Sequence, residues 1–165
     1  MQLDRFQVLV MSGLPGSGKS RLAHELVQKF GRAKDLAEAY YRGDPSIIVS
    51  ADDYYVGKDG VYRYIADEIG LAHKQCKDKF EYALDSGVPL VIVDNTNLRA
   101  SDADFYFEMA RKKGYSARMI RVNCDPADAF MRQRHNVPES VFTKMVGQWE
   151  KRDVRPEWEV EDYNA

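Results

Sequence analysis

A glycine-rich segment near the N-terminus has the residue types and spacing of a phosphate-binding loop. It reads Gly13-Leu14-Pro15-Gly16-Ser17-Gly18-Lys19-Ser20 and matches the pattern G-x-x-x-x-G-K-[ST] at every fixed position. The glycines let several backbone N–H groups converge on one anion, Lys19 supplies an ammonium for the β and γ phosphates, and the Ser20 hydroxyl is a Mg²⁺ ligand. We therefore predict nucleotide contacts from Gly13, Pro15, Gly16, Ser17, Gly18, Lys19 and Ser20.

A pair of carboxylates, Asp52-Asp53, directly follows a short apolar run. The C-terminal ends of parallel strands share one edge of a sheet, so Asp52 is expected on the same edge as Lys19. A carboxylate there can accept the proton of an incoming hydroxyl while phosphate is transferred. The alternative is that the pair caps a following helix, for which Asp is favoured. We assign catalysis to Asp52 and capping or substrate support to Asp53.

A second polar turn, Asp94-Asn95-Thr96-Asn97, follows the next apolar run along the chain. Asp94 has the position of a Walker-B-type carboxylate that holds Mg²⁺ through water. Asn95, Thr96 and Asn97 are candidates for substrate binding. The alternative is a turn rich in residues that hydrogen-bond their own backbone.

Paired arginines, Arg132 and Arg134, follow a predicted helix that begins at Pro126. On a mobile lid around residues 126–138, they would neutralise charge on the transferred phosphoryl group. The alternative is a solvated helix end. His135 is interpreted as solvent-facing or as a phosphate contact, and Arg99 is a further candidate for contacting a phosphate of the substrate.

Tyrosines are concentrated before and after Asp52, with six of the ten between residues 40 and 64. Aromatic faces on a cleft wall can stack a nucleobase, but half-buried tyrosines also commonly cover a sheet edge. Both interpretations stay open for the six, which are Tyr40, Tyr41, Tyr54, Tyr55, Tyr62 and Tyr64. Of these, Tyr55 is our candidate for substrate binding.

The elements that must position these residues alternate between strand patterns and helix patterns along the chain. The apolar runs are 8–11, 47–49, 90–93 and about 117–122, and helical spacing begins at Lys19, 66, 101, Pro126 and Pro138. Ser101 and Asp104 have the spacing of a capping box at the start of the third of these helices. This order predicts an α/β, three-layer P-loop fold with a parallel sheet of four strands flanked by helices; a fifth strand is left undecided.

Length and composition limit the class of protein. The 165 residues are 44% hydrophobic and 30% charged, which excludes a disordered chain, and 24 Lys+Arg against 26 Asp+Glu exclude a strongly basic nucleic-acid coat. We expect one domain over residues 1–155 and an acidic tail over 156–165. Without a signal-like start or a long apolar run, we expect a cytoplasmic protein without membrane contact or an obligate protein partner.

Together these motifs resemble the P-loop kinases of the bacteriophage polynucleotide kinase type, over about residues 7–150. The resemblance implies that Lys19 and Ser20 bind ATP and Mg²⁺, that Asp52 is the general base, and that Arg132 or Arg134 is a lid arginine. It implies acceptor and lid positioning for Asn95 and Thr96. The chain departs from that family at Tyr55, where the phage enzyme carries an arginine for the acceptor phosphate, and no phosphatase half is expected.

The sequence therefore predicts an ATP- and Mg²⁺-dependent kinase that phosphorylates a hydroxyl of a nucleic acid or nucleotide, with a 5′-hydroxyl end as first choice. One alternative acceptor is a hydroxymethylpyrimidine such as hydroxymethyluracil in phage DNA, which the missing arginine keeps open. A regulatory nucleotide-binding module that hydrolyses ATP slowly is the other alternative. No Asn-Lys-x-Asp guanine reader is present, so a GTPase is not favoured.

Overall fold

The computed structural model describes residues 6–33 and 46–164, and Tyr40 and Tyr41 lie outside these ranges. The described strands are β1 (Gln7–Ser12), β2 (Ser46–Val49), β3 (Leu90–Asp94), β4 (Ser116–Asn123) and β5 (Glu159–Asn164). They form one sheet in the order β2-β3-β1-β4-β5, and every neighbouring pair is parallel. Their C-terminal ends therefore share one edge of the sheet.

Helices connect the strands and cover both faces of the sheet. They are α1 (Lys19–Ala33), α2 (Ile69–Asp85), α3 (Ala100–Lys112), α4 (Pro126–Arg132) and α5 (Glu139–Glu150), with short 3₁₀ helices at Ala51–Tyr55 and Ala66–Glu68. The predicted α/β three-layer architecture is confirmed, and the strand that the sequence left undecided is present as β5.

The side chains of β1 alternate between two hydrophobic clusters, as the pleat of a strand requires. Leu9 and Met11 pack with the buried face of α1, whereas Val8 and Val10 pack with buried residues of α2 and α3. All four are fully buried, which is why the run 8–11 is apolar without interruption. This central strand therefore holds the loop that follows it in a fixed place.

A third hydrophobic cluster lies beyond the sheet, where α4 and α5 pack over the glycine-rich loop. It joins Leu14 of the loop to Ala129 of α4 and to Phe142 and Trp149 of α5. Trp149 also lies against the buried Arg121 of β4, whose guanidinium carbon is 4.2 Å from the ring centroid. The segment after α4 is thus anchored by this hydrophobic cluster.

Two expectations need correction. Residues 156–165, expected as an acidic tail outside the domain, contain β5, whose Glu161 forms an ion pair with Arg118 of β4 at 3.0 Å. The predicted capping box of Ser101 and Asp104 is displaced by two residues. Helix α3 begins at Ala100, and the Asp102 carboxylate accepts the backbone N–H of Arg99 at 3.0 Å.

Among the described residues, no helix has both the length and the apolar character needed to cross a lipid bilayer.

Candidate functional site

The glycine-rich loop connects β1 to α1 and packs tightly against α4. Gly16 and Gly18 have φ angles of 80° and 102°, a region in which L side chains are strained. A Cβ on Gly16 would lie 2.0 Å from the Ala129 carbonyl oxygen and 2.8 Å from the Gln133 backbone nitrogen. The loop can approach α4 this closely only because residue 16 is glycine.

The ammonium of Lys19 lies inside this loop, where only 8% of the residue is exposed. Its Nζ donates a hydrogen bond to the Leu14 carbonyl oxygen at 2.8 Å. Burial lowers the pKa of Lys19 to about 8, although the negative charges of Asp94 and Asp52 act in the opposite direction. Lys19 is therefore within electrostatic reach of both carboxylates that were predicted to share its edge of the sheet.

The loop also contains a buried hydroxyl without a partner. Ser17 is 1% exposed, and its Oγ has no hydrogen-bond partner among the described residues. A buried polar group without a partner is unfavourable, and an anion bound in the loop is one acceptor that would satisfy it. This feature fits a nucleotide phosphate.

Ser20 and Asp94 meet where a Mg²⁺ ion would be held. The Ser20 hydroxyl donates to Asp94 Oδ2 at 2.6 Å, because β1 and β3 are neighbours and pair Met11 with Asp94. Over residues 6–33 and 46–164, no group of three His, Cys, Asp or Glu side chains could hold a metal. Magnesium commonly binds through one or two carboxylates together with water and substrate phosphates, so this oxygen pair fits it.

Asp52 lies in the 3₁₀ helix that follows β2, and local hydrogen bonds fix the start of that helix. The Ser50 hydroxyl accepts the Asp52 backbone N–H at 3.2 Å. The Asn95 carboxamide oxygen accepts the preceding N–H, that of Ala51, at 2.9 Å. The Asp52 side chain itself is half exposed and is accessible to a molecule from solvent.

The polar turn 94–97 connects the phosphate loop to the segment that carries Asp52. Asn97, which is 5% exposed, donates from Nδ2 to the Met11 carbonyl oxygen at 2.8 Å. The Asn97 and Thr96 carbonyl oxygens accept hydrogen bonds from the Ser12 hydroxyl and the Gly13 N–H. The side chains of Asn95 and Asn97 are thus bonded inside the protein, which favours positioning over the substrate contact that we predicted for them.

Tyr55 requires a correction, because the structure buries it. It is 5% exposed, its hydroxyl donates to the Ile65 carbonyl oxygen at 3.2 Å, and its ring packs in the core cluster of α2 and α3. The expected substrate contact at this position is therefore wrong, and Tyr55 instead supports the neighbouring Tyr62 and Tyr64 rings.

The remaining substrate candidates lie on the surface. The pKa of Asp53 is raised by desolvation first and then by the negative charges of Asp52 and Asp94, against the opposite effect of Lys79. Arg99 forms an ion pair with Asp102 at 2.9 Å. Both side chains remain candidates for contacting a substrate.

The two arginines predicted for a lid, Arg132 and Arg134, lie on either side of Gln133, whose backbone nitrogen is close to Gly16. Both are exposed, and the Arg132 guanidinium donates to the Cys124 sulfur at 2.6 Å. The structure therefore brings this segment next to the phosphate loop, with Arg132 held by the end of β4.

Two residues whose contact with Asp52 the sequence did not predict lie against its carboxylate. The Tyr62 hydroxyl donates to Asp52 Oδ1 at 3.3 Å, and His135 Nδ1 lies 3.4 Å from Oδ2. No sequence spacing relates positions 52, 62 and 135, so only the tertiary structure could bring them together.

Comparison with known proteins places this geometry in a family. The model of the AAA domain family matches residues 8–150. Human NEDD4-binding protein 2 is 27% identical over 149 residues, which is 87% of this chain and 8% of that protein. YLP motif-containing protein 1 of Rattus norvegicus is 26% identical over 191 residues, which is 96% of this chain and 13% of that protein. The chain thus spans about a tenth of the length of these curated relatives.

Solved structures resemble the fold at low sequence identity. A chain of the Pnkp1/Rnl/Hen1 RNA repair complex has a TM-score of 0.66 at 18% identity, covering 92% of this chain and 46% of that chain. A gluconokinase from Sinorhizobium meliloti 1021 has a TM-score of 0.57 at 18% identity, covering 97% and 83%. Chaetomium thermophilum Kti12 in complex with ADP-AlF3 has a TM-score of 0.61 at 16% identity, covering 95% and 88%. Since the family model spans most of the chain and these structures share its fold, the protein belongs to the AAA domain family and has the fold of the P-loop kinases.

Proposed function

We propose that this protein is an ATP- and Mg²⁺-dependent kinase that transfers the γ-phosphoryl group to a hydroxyl of a nucleic acid or nucleotide, with a polynucleotide 5′-hydroxyl end as the preferred acceptor. The observation that carries the proposal is the placement of Lys19 and Asp52 at one edge of the parallel sheet, where the negative charge of Asp52 acts to raise the pKa of Lys19. A half-exposed carboxylate thus lies near the ammonium that would hold the phosphates. The resemblance of the fold to a chain of an RNA repair complex supports a polynucleotide acceptor.

The arrangement can perform transfer in one displacement. The acceptor hydroxyl donates a hydrogen bond to Asp52, its oxygen attacks the γ-phosphorus in line, and the bond from that phosphorus to the ADP oxygen breaks. Asp52 takes the hydroxyl proton, while Lys19 and an arginine of the lid balance the charge on the transferred group. Ser20 and Asp94 would hold Mg²⁺, which supplies further positive charge at the phosphates.

A hydroxymethylpyrimidine base in DNA is a second candidate acceptor, favoured by one specific feature. The position of the arginine that grips an acceptor phosphate in the phage-type enzymes is taken by Tyr55, whose ring is buried. An acceptor that needs no arginine contact to its phosphate would bind equally well at this site. A slow regulatory ATPase is the remaining alternative.

Incubation with γ-labelled ATP and Mg²⁺ separates these functions. The acceptors are 5′-hydroxyl DNA and RNA oligonucleotides, a duplex with hydroxymethyluracil, free nucleosides and gluconate, with a 5′-phosphorylated oligonucleotide as the negative control. We expect label on the 5′-hydroxyl oligonucleotides. Label only on the modified duplex would favour the second acceptor, and slow phosphate release without labelled product would favour the regulatory ATPase.

Two variants test the assigned roles in the same assay. Lys19→Ala should abolish ATP binding, whereas Asp52→Asn should retain ATP binding and lose transfer by at least about a hundredfold, since general bases typically contribute that much. Asp78→Asn is a matched control, because Asp78 is an exposed residue of α2 paired with Lys74. Equal loss of ATP binding in Lys19→Ala and Asp52→Asn would contradict the separate roles.

A further inference from the structure

Side chains from three separate segments meet at the Asp52 carboxylate. Asp52 lies in the 3₁₀ helix after β2, Tyr62 lies in a short antiparallel bridge with Val56, and His135 follows α4. Tyr62 contacts one carboxylate oxygen at 3.3 Å and His135 Nδ1 lies 3.4 Å from the other. Each oxygen of the proposed base is therefore contacted by a side chain from a different segment of the chain.

The two rings also hold each other. The Tyr62 and His135 rings are stacked, with centroids 4.3 Å apart and planes at 10°. The pKa of Tyr62 is raised by burial first and then by the charge of Asp52, so its hydroxyl stays protonated and remains a donor. The stacking on Tyr62 thus holds the imidazole in an orientation in which Nδ1 lies 3.4 Å from the carboxylate oxygen.

The loop that carries His135 is fixed at its ends. Gln133 forms reciprocal hydrogen bonds with Val137, from Nε2 to the carbonyl oxygen at 3.0 Å and to Oε1 from the backbone N–H at 2.8 Å. The backbone nitrogen of Gln133 also faces Gly16 of the phosphate loop. One short segment thus contacts the loop that would hold ATP and the carboxylate that would take the proton.

We propose that His135 is a positioning residue, which holds the Asp52 carboxylate toward the acceptor hydroxyl, with Tyr62 as the surface against which it stacks. This inference rests on the proposed function. Each carboxylate oxygen has two lone pairs, so both contacts leave Asp52 free to accept the hydrogen bond of an alcohol. Without His135, a half-exposed aspartate would turn among several rotamers, and productive encounters with the acceptor would become rarer.

Two substitutions separate the contact between Nδ1 and the carboxylate from the stacked ring. His135→Phe retains a ring on Tyr62 and removes the Nδ1 donor, whereas His135→Asn retains a donor near Nδ1 and removes the ring. We expect kcat for transfer to fall about tenfold in His135→Phe, with the KM for ATP unchanged, and to stay within about threefold of the wild type in His135→Asn. His24→Phe, at an exposed position of α1, is the matched control and should retain wild-type transfer. A wild-type kcat in His135→Phe, or equal losses in both His135 variants, would overturn the inference.

A second readout tests the contact without measuring transfer. We expect the imidazole ¹⁵N chemical shifts of His135 to change in Asp52→Asn and in Tyr62→Phe, while those of His24 stay constant. Unchanged His135 shifts in both variants would overturn the inference even if transfer were normal. If the shifts change but the wild-type protein labels no acceptor, the proposed function is wrong. The positioning role is then wrong as well, although the contact between His135 and Asp52 is still shown.

Discussion

Lys19 is a charged side chain held where its charge is unfavourable. Burial brings its pKa down to about 8, and its Nζ donates a hydrogen bond to a neutral carbonyl oxygen. A bound polyphosphate would add negative charge next to the ammonium, so binding should favour the protonated form. The residue is therefore arranged to bind an anion and not to stabilise the empty loop.

This arrangement predicts how ATP affinity depends on pH. Free Lys19 loses its proton as the pH rises through about 8, so ATP should bind about tenfold more weakly at about pH 9 than at about pH 7. Because the complex retains the proton, binding above about pH 8 should take up a proton from the buffer. Calorimetry in buffers of different ionisation enthalpy measures both quantities. An affinity that is constant over this range would show that the Lys19 charge does not contribute.

The residues differ in how far their roles could be predicted from the sequence. The phosphate loop was predictable because its chemistry is contained in eight consecutive residues. Tyr55 was misassigned because its burial depends on α2 and α3, which lie far along the chain. His135 was left with two interpretations because its partners, Asp52 and Tyr62, are distant in sequence.

Among the elements, the turn 94–97 has the widest structural role. It accepts hydrogen bonds from the ends of β1 and β2, through Gly13 and Ala51, and so fixes the distance between the two segments that carry Lys19 and Asp52. The strands alone fix their order and register but not the conformation of the segments that follow them.

Asn95→Ala tests this role. Loss of the carboxamide leaves the Ala51 N–H without its acceptor, which should lower the free energy of unfolding by about 1–3 kcal/mol. Because the 3₁₀ helix that carries Asp52 would lose its anchor, kcat for transfer should fall more than the affinity for ATP. Urea unfolding and ATP titration provide the two measurements. A variant that loses ATP affinity and keeps kcat would indicate that Asn95 serves the nucleotide instead.

The starts of helices were predicted less well than their existence. The capping box expected at Ser101 lies two residues earlier because the Ala100 N–H is bonded to Asp153, a residue more than fifty positions away, at 3.1 Å. A local pattern of capping residues cannot include such a tertiary acceptor, whereas the apolar spacing that predicts α3 itself is local.

At the scale of the whole molecule, opposite charges connect the last strand to the rest of the sheet. Glu161 pairs with Arg118, and Asp162 lies 3.3 Å from Arg152 after α5. Trp158, just before β5, stacks on Phe107 of α3 with ring centroids 4.1 Å apart. The acidic composition of residues 156–165 suggested a tail because the sequence does not reveal that their basic partners lie on the adjacent strand β4 and just after α5.

Trp158→Ala should therefore destabilise the whole domain and not merely release its end. The loss of the stacked pair and its burial should lower the free energy of unfolding by about 2–3 kcal/mol. Tyr82→Ala is the control, since Tyr82 is 76% exposed and its loss should change stability by no more than about 0.5 kcal/mol. Denaturant unfolding followed by circular dichroism compares the two. Similar stability of both variants would mean that β5 is only loosely attached.

The parallel direction of the five strands determines which attachments the protein tolerates. A fluorescent label or fusion partner joined before β1 would emerge at the edge of the sheet opposite Lys19 and Asp52, whereas one joined after β5 would emerge on their side. Tethering through the N-terminal side thus leaves the edge that carries Lys19 and Asp52 open to a large polymer, and tethering through the C-terminal side is the more direct way to hold a chosen molecule beside that edge.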